Sequence, residues 1–465
     1  MRNILLGLTL LVGIALWFTP PPEGVSQQAW QLFSIFIATI FGIVSKPMPM
    51  GAMAFAGLCA VVLTNTLPFS TAFSGFSNDV VWLIVFAFFV ARGFIKTGLG
   101  SRISYFFMML LGKKTLGLGY GLVATEFLLA PAIPSSTARS GGVVLPILDS
   151  LAKTFGSYPH DPSSQKMGSF LTKVAAQSSC ITSAMFLTSM AANPMIATIA
   201  EEMGYEITWT SWILASSVPG IISLLAMPYI LYKLYTPTVK ESPDAPNFAR
   251  ERLAEMGKMK RAEWIMLGTF ILLIVLWVFG KDLSINPATT AMLGLVILLV
   301  TEVLTWDDIR KEVGAWETLV WFAILLMMAT QLSKLGFMNW LSGMLAVQVQ
   351  GMSWVAALLI LSLTYFYSHY FFASNLAHVG AMYATFLGVL VSLGAPIALS
   401  AMILAFFSNL FGALTQYSCG PAAILFGAGY VRIANWWKCG FIASVINIVI
   451  WLGVGSVWWK LIGLW

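Results

Sequence analysis

Long apolar runs alternate along this chain with short polar interruptions, and the runs have the length of a membrane crossing. An α-helix needs about 20 mostly apolar residues to cross the hydrocarbon core. Stretches of adequate length stand near 4–19, 29–45, 50–66, 79–96, 173–200, 209–232, 263–280, 286–304, 317–334, 396–428 and 439–460. Runs such as 80–90 and 265–279 are continuous and lack the period-2 alternation of a barrel strand. Two further apolar regions, about 115–150 and 353–393, are broken in the middle. The pattern predicts an all-α polytopic membrane protein with about 11 transmembrane helices and two re-entrant hairpins.

Composition agrees: of 465 residues 58% are hydrophobic and 9% charged, a surface no soluble domain carries. Residues 1–22 place Arg2 ahead of a short apolar run, as a signal peptide does. No small-residue cleavage site precedes "TPPPEG", so residues 1–27 are read as an N-terminal transmembrane helix. Cys59, Cys180, Cys419 and Cys439 sit alone in different segments and are read as small core residues, with neither a metal site nor a cofactor expected.

The net charge of +6 matters through its distribution. With the N-terminus inside and each broken region returning to its own side, roughly 21 of the 25 Lys and Arg fall on one face. Only Lys281, Lys334 and Lys460 fall on the other, and Arg139 lies within a broken region. By the positive-inside rule the basic face is cytoplasmic and the C-terminus ends outside. The expected surroundings are the bilayer of the cytoplasmic (inner) membrane, with no nucleic-acid partner. The longest polar stretch, 236–261, reads as a cytoplasmic linker ending in a short amphipathic helix.

The halves on either side of the linker resemble each other. "NDVVWLIVFAFFVARGFIKTGLG" (78–100) matches "ETLVWFAILLMMATQLSKLGF" (317–337), with Trp82 against Trp321 and Gly98 against Gly336. At the same offset "SSTARSGG" (135–142) falls on "SNLAHVGA" (374–381), and at an offset of 227 "LTSMAANP" (187–194) falls on "LTQYSCGP" (414–421). Repeat 1 is placed at 28–235 with a cytoplasm-facing hairpin, and repeat 2 at 262–465 with an outward-facing one. Five spans per repeat is an odd number, so the second copy enters the membrane upside down, as in many inverted-repeat transporters.

Irregular backbone at membrane depth is tolerated only where it lines a cavity or is buried in protein. Pro131 and Pro134 stop the first arm of hairpin 1, and Gly141 and Gly142 are expected to start its return. A helix N-terminus flanked by Ser, Thr or Asn suits a carboxylate. Two such tips would grip a molecule with a carboxylate at each end. The candidate substrate-binding residues are Ser135, Ser136, Thr137, Ser374, Asn375 and Leu376, the last through its backbone alone. Asn193-Pro194 and Gly420-Pro421, which interrupt the following helices, complete the set with Thr188 and Thr415.

Each reading has a structural alternative. The tip residues could merely cap helices. Arg139 and His378, at matched positions, are expected as fixed cations beside an anion site; the alternatives are an ion pair of Arg139 with Glu126 or Asp149, and a satisfied core histidine. Glu126, which could hold a coupling proton, is expected to pair with Arg139. No P-loop, H-E-x-x-H motif or nucleophile elbow occurs, so no catalytic residues are expected and the chain is not read as an enzyme.

At these residues the whole chain resembles the divalent anion/sodium symporter family, which has paired Ser-Asn-Thr motifs at two hairpin tips. "PSSTARSGG", "FASNLAHVG" and "YSCGPAAILFGAGYV" are similar to its exchanger branch of citrate/succinate and tartrate/succinate antiporters and plastid 2-oxoglutarate/malate translocators. The resemblance implies a homodimer with an elevator motion, in which a transport domain holding both hairpins slides against a scaffold. In the sodium-coupled branch the tips also help enclose sodium. Here Ser136 replaces the usual Asn and Leu376 the usual Thr, weakening both cages. The resulting expectation is sodium-independent exchange of small di- or tricarboxylates (succinate, malate, fumarate, 2-oxoglutarate, citrate). A sodium-coupled symporter on the same fold is the main alternative; an anion channel and a membrane-embedded enzyme stand further off.

Overall fold

The computed structural model describes residues 2–465 except 281, 282, 338, 339, 342 and 345–350; Lys281 of the charge count lies outside the described residues. In repeat 1 order the helices are α1 (Arg2–Trp17), α2 (Gln27–Ser45), α3 (Met50–Leu63), α4 (Asp79–Thr97), α5 (Leu99–Leu111), α6 (Thr115–Leu129), α7 (136–154), α8 (Gly168–Met185), α9 (Ala192–Glu202) and α10 (Trp209–Leu234). The linker carries α11 (Ala245–Met256). Then follow α12 (Arg261–Phe279), α13 (Pro287–Val300), α14 (Trp306–Lys311), α15 (Val313–Lys334), α16 (Trp354–Ser368), α17 (Asn375–Ser392), α18 (Ile397–Leu410), α19 (Gly420–Gly427) and α20 (Ile433–Leu461). No strand occurs among the described residues, and eight helices are long and apolar enough to cross a membrane, with further shorter apolar helices beside them.

The two halves repeat in geometry as well as in sequence. Gly98 closes α4 and Gly336 follows α15, both at φ 78°, a left-handed conformation that only glycine adopts without strain. Lys46 and Ser284, after α2 and α12, share φ values of 54° and 55°. Asn65 and Glu302, after α3 and α13, share 53° and 59°.

Packing divides the chain into two units, each drawn from both halves. The first comprises 1–85, 194–207 and 312–404, and the second 86–193, 208–311 and 405–465. In the first, α2 packs on α1 and α3, α15 on α2 and α3, and α17 on α2, α15 and α16. In the second, α8 is the central post, buried at every residue and packed against α6, α10 and α19. Hairpin 1 (α6 and α7) thus belongs to the second unit and hairpin 2 (α16 and α17) to the first, which differs from the expected grouping of both hairpins in one transport domain. The local reason is the contact α17 makes with α2 and α15, elements of the first unit.

Two helical features differ from the sequence reading. The segment 99–111, to which no span was assigned, is the helix α5, amphipathic enough to bury Leu99, Ser104 and Met108. Its partner is the linker helix α11, with Tyr105 edge-on to Phe248 at 6.4 Å and Arg102 donating to the Gly257 carbonyl at 2.9 Å. The linker also straps the base of hairpin 1. Thr115 N–H donates to Lys240 O at 3.0 Å, Ser242 Oγ to Gly112 O at 2.7 Å, and Val239 N–H to Lys166 O at 3.0 Å. Among the cysteines, Cys180, Cys419 and Cys439 are buried as expected, whereas Cys59 is exposed on α3 and is no core residue.

Candidate functional site

Hairpin 1 turns at a short non-helical tip. α6 ends at Leu129 ahead of Pro131 and Pro134, and the return begins at Ser136, earlier than the expected start at Gly141 and Gly142. Those glycines lie instead in a widened π turn, Ser140–Val144, between two α-helical stretches of α7. An extra residue in a helical turn is a common feature of functional sites. Ser135 caps the arm, its Oγ accepting from Ala138 N–H at 3.1 Å. Ser135 and Ser136 are half-buried, and Thr137 is exposed at the first turn.

Arg139 is the hub of the tip and is wholly buried. Its Nε donates to Glu126 Oε2 at 2.5 Å, its Nη1 to the carbonyls of Ile133 at 2.8 Å and Ser189 at 3.2 Å, and its Nη2 to Ser183 Oγ at 3.1 Å. The hydroxyls of Thr182 and Ser140 lie beside the same carboxylate. Arg139 therefore stands in an ion pair with Glu126. The guanidinium fastens the first arm, the tip and the break after α8 to one another. A cation buried this deeply requires an ionic partner and hydrogen-bond acceptors, and Glu126 with three further acceptors supplies them.

The break itself, 186–191, is held by side chains expected to face the ligand. Asn193 Nδ2 donates to Ser183 O at 2.9 Å and Phe186 O at 3.0 Å, while its Oδ1 accepts from Asn409 Nδ2 at 2.8 Å. Thr188 Oγ1 donates to Pro131 O at 2.9 Å. In the second break, Thr415 Oγ1 is paired with Ser418 Oγ at 2.7 Å. All three side chains are buried and committed to the chain's own groups. These hydrogen bonds support the breaks, because backbone polar groups released by a broken helix require partners.

Gly420 opens α19 beside the tip of hairpin 1. A Cβ there would stand 2.0 Å from Thr137 Oγ1, so glycine is what admits the threonine. Pro421 follows at the first turn, where its missing N–H costs nothing, and is buried, as is Pro194.

In the first unit, Ser374 caps α17 with Oγ accepting from Ala377 N–H at 3.4 Å, and Ser374, Asn375 and Leu376 are half-buried. His378 is buried one turn further on. Its Nε2 is 2.9 Å from Ser368 Oγ, and its ring lies 4.5 Å from Tyr365, 4.6 Å from Phe372 and 5.2 Å from His369.

The sequence reading passed over the polar character of α8. Ser178, Ser179, Thr182 and Ser183 are all buried, with Ser179 Oγ 3.2 Å from Ser140 Oγ. Hydroxyls this dense in a membrane helix were the available signal. Asn409, which locks Asn193, left none.

A Ser-capped tip in each half, with interrupted helices after it, defines a carrier built on a duplicated hairpin-and-broken-helix unit. The chain belongs to the family described as sodium:sulfate symporter transmembrane region, whose profile matches residues 2–465. A putative malate transporter of Bacillus subtilis is 52% identical over 98% of this chain and 96% of its own length. The chloroplast dicarboxylate transporter 1 of Arabidopsis thaliana is 52% identical over 98% of this chain and 83% of its own. The citrate/succinate antiporter of Escherichia coli K12 is 34% identical over 98% and 97%. Among solved structures, the YdaH transporter of Alcanivorax borkumensis covers 99% of this chain and 97% of its own with a TM-score of 0.56; at 13% identity that is a likeness of fold alone. The chain is thus a multi-pass membrane protein of a transporter family, with relatives named for dicarboxylates and citrate.

Proposed function

We propose that this protein is a secondary transporter that exchanges small di- and tricarboxylates across the cytoplasmic membrane without sodium. The observation that carries the reading is the pair of Ser-capped tips, Ser135-Ser136-Thr137 and Ser374-Asn375-Leu376, each opening a long helix. First-turn amides direct partial positive charge out of a helix end, and neutral hydroxyl and amide side chains add donors without fixing a counter-charge. Exchange between carboxylates is also what the name of the E. coli relative describes.

Sodium independence is supported by residue chemistry. Leu376 has no oxygen on its side chain to offer a cation, and Ser136 is shorter than an asparagine. Because Glu126 neutralises Arg139, its role in the reading is support of the tip, and His378 is left as the candidate for a charge that a bound anion would complement. Homodimer formation and an elevator motion accompany the reading as properties of the resembled family.

The family description favours a second reading, a sodium-coupled symporter. Uptake of labelled succinate into proteoliposomes separates the two, with and without internal succinate, in sodium and in choline buffer. Exchange requires uptake that depends on internal substrate and ignores sodium. Uptake into empty vesicles driven by a sodium gradient would overturn it in favour of the symporter. Current that rises linearly with succinate and needs no counter-substrate would mean a channel.

A further inference from the structure

The first unit holds a cavity of about 680 Å³ away from the Ser374-Asn375 tip, where the C-terminal ends of α9, α15 and α17 meet. Glu202, Thr330, Ser333, Lys334 and Ser392 are its polar lining. Thr330 Oγ1 donates to Glu202 Oε1 at 2.8 Å, while Lys334 forms neither a hydrogen bond nor an ion pair among the described residues. Lys334 is also one of three lysines that the charge count puts on the face opposite the other basic residues.

The electrostatics of this place are against an anion unless Lys334 is present. Three helix C-termini contribute negative partial charge, and Glu202 adds a full one. Lys334 is the ammonium in the lining. Below the mouth the field reverses: α17 runs from the cavity at Ser392 back to its N-terminus at the Ser374-Asn375 tip, about 26 Å away at 1.5 Å per residue. Its dipole draws an anion from mouth to tip. The face of α17 that lines the cavity is small at Ala384 and Gly388.

We infer that this cavity is the vestibule by which a dicarboxylate reaches the second tip, with Lys334 as the residue that admits the dianion and Glu202 as the one that limits its attraction. The cavity is large enough for a four- to six-carbon diacid, since small-molecule sites span roughly 300–1,000 Å³. The inference deepens the proposed function and rests on it for the identity of the anion.

Two arms keep the failures apart. In the first, succinate exchange is measured from the vestibule face at low and high ionic strength. Lys334→Gln raises the apparent KM about tenfold at low ionic strength, leaves the maximal rate unchanged and flattens the salt dependence, since steering by a charge is screened by salt. Lys334→Arg keeps the original KM, and Glu202→Gln lowers it. The second arm needs no transport. Ser392→Cys, with Cys59→Ser, is labelled by anionic and cationic thiosulfonates, and adding Lys334→Gln lowers the ratio of anionic to cationic rates about tenfold. An unchanged ratio, or an unchanged KM with its salt dependence intact, overturns the vestibule. A shifted ratio in a protein without succinate exchange overturns the functional reading and leaves the vestibule standing for another anion.

Discussion

At the scale of single residues, Arg139 and Glu126 show why a buried charge cannot be read alone. Their 2.5 Å pair is fully desolvated, so the strength of each depends on the other. Arg139→Ala leaves a carboxylate buried without its cation and two carbonyls without their donor, a loss of about 3–5 kcal/mol. The thermal unfolding midpoint in detergent should fall sharply, and exchange with it. Adding Glu126→Gln to Arg139→Ala should recover part of the midpoint without recovering transport, because the charge is removed while the staple to Ile133 and Ser189 remains lost. A double variant no more stable than Arg139→Ala would show that the pair is not the source of the loss.

Between elements, the tip of hairpin 1 depends on the close approach of α7 and α19. Gly420→Ala would put a methyl 2.0 Å from Thr137 Oγ1, and the helices would have to separate. We expect exchange to fall at least tenfold, with partial recovery in Gly420→Ala/Thr137→Ala, where the clashing oxygen is gone; equal activity of Gly420→Ala and the parent would refute the contact. A second contact joins α4 to α14. Burial alone would raise the pKa of Asp308, but the Lys96 ammonium at 2.6 Å and the Thr305 amide and hydroxyl outweigh it and hold the carboxyl at about 2. A depressed carboxylate stabilises the fold fully above its unfolded value of about 3.9 and loses that contribution as pH falls through its folded value. The gap in thermal midpoint between the parent and Asp308→Asn should be constant above about pH 4 and close toward about pH 2. A gap unchanged at the low end would contradict the pairing.

For the whole molecule, the charge count predicts an orientation with the N-terminus and the linker cytoplasmic. A single cysteine at Glu23, in the exposed turn after α1, should react with a membrane-impermeant maleimide in intact cells, and one at Glu251, exposed on the linker helix, only after permeabilisation. Labelling in the reverse order would invert the molecule in the membrane. The same experiment places the face on which Lys334 stands.

The element pattern, the duplication and the four interrupted places were legible in the sequence because each is set locally. Apolar run length fixes which segments can cross a bilayer, Pro131 and Pro134 follow directly on the end of the first hairpin arm, and Gly98 and Gly336 mark matching helix ends through a backbone angle that needs no distant partner. α5 was missed because it is short and amphipathic, and it packs between its neighbour α6 and α11, about 140 residues later. The hydrogen-bond partners of Asn193, Thr188 and Thr415 were decided by tertiary structure for a related reason. A polar side chain in a broken helix serves a ligand or the chain's own orphaned carbonyls, and which of the two depends on whether Asn409, Pro131 or Ser418 is within reach. The same holds for Arg139: the sequence determined that a cation lies between apolar runs, and only the fold, by bringing Glu126 back across the hairpin, decided that its charge is neutralised within the protein.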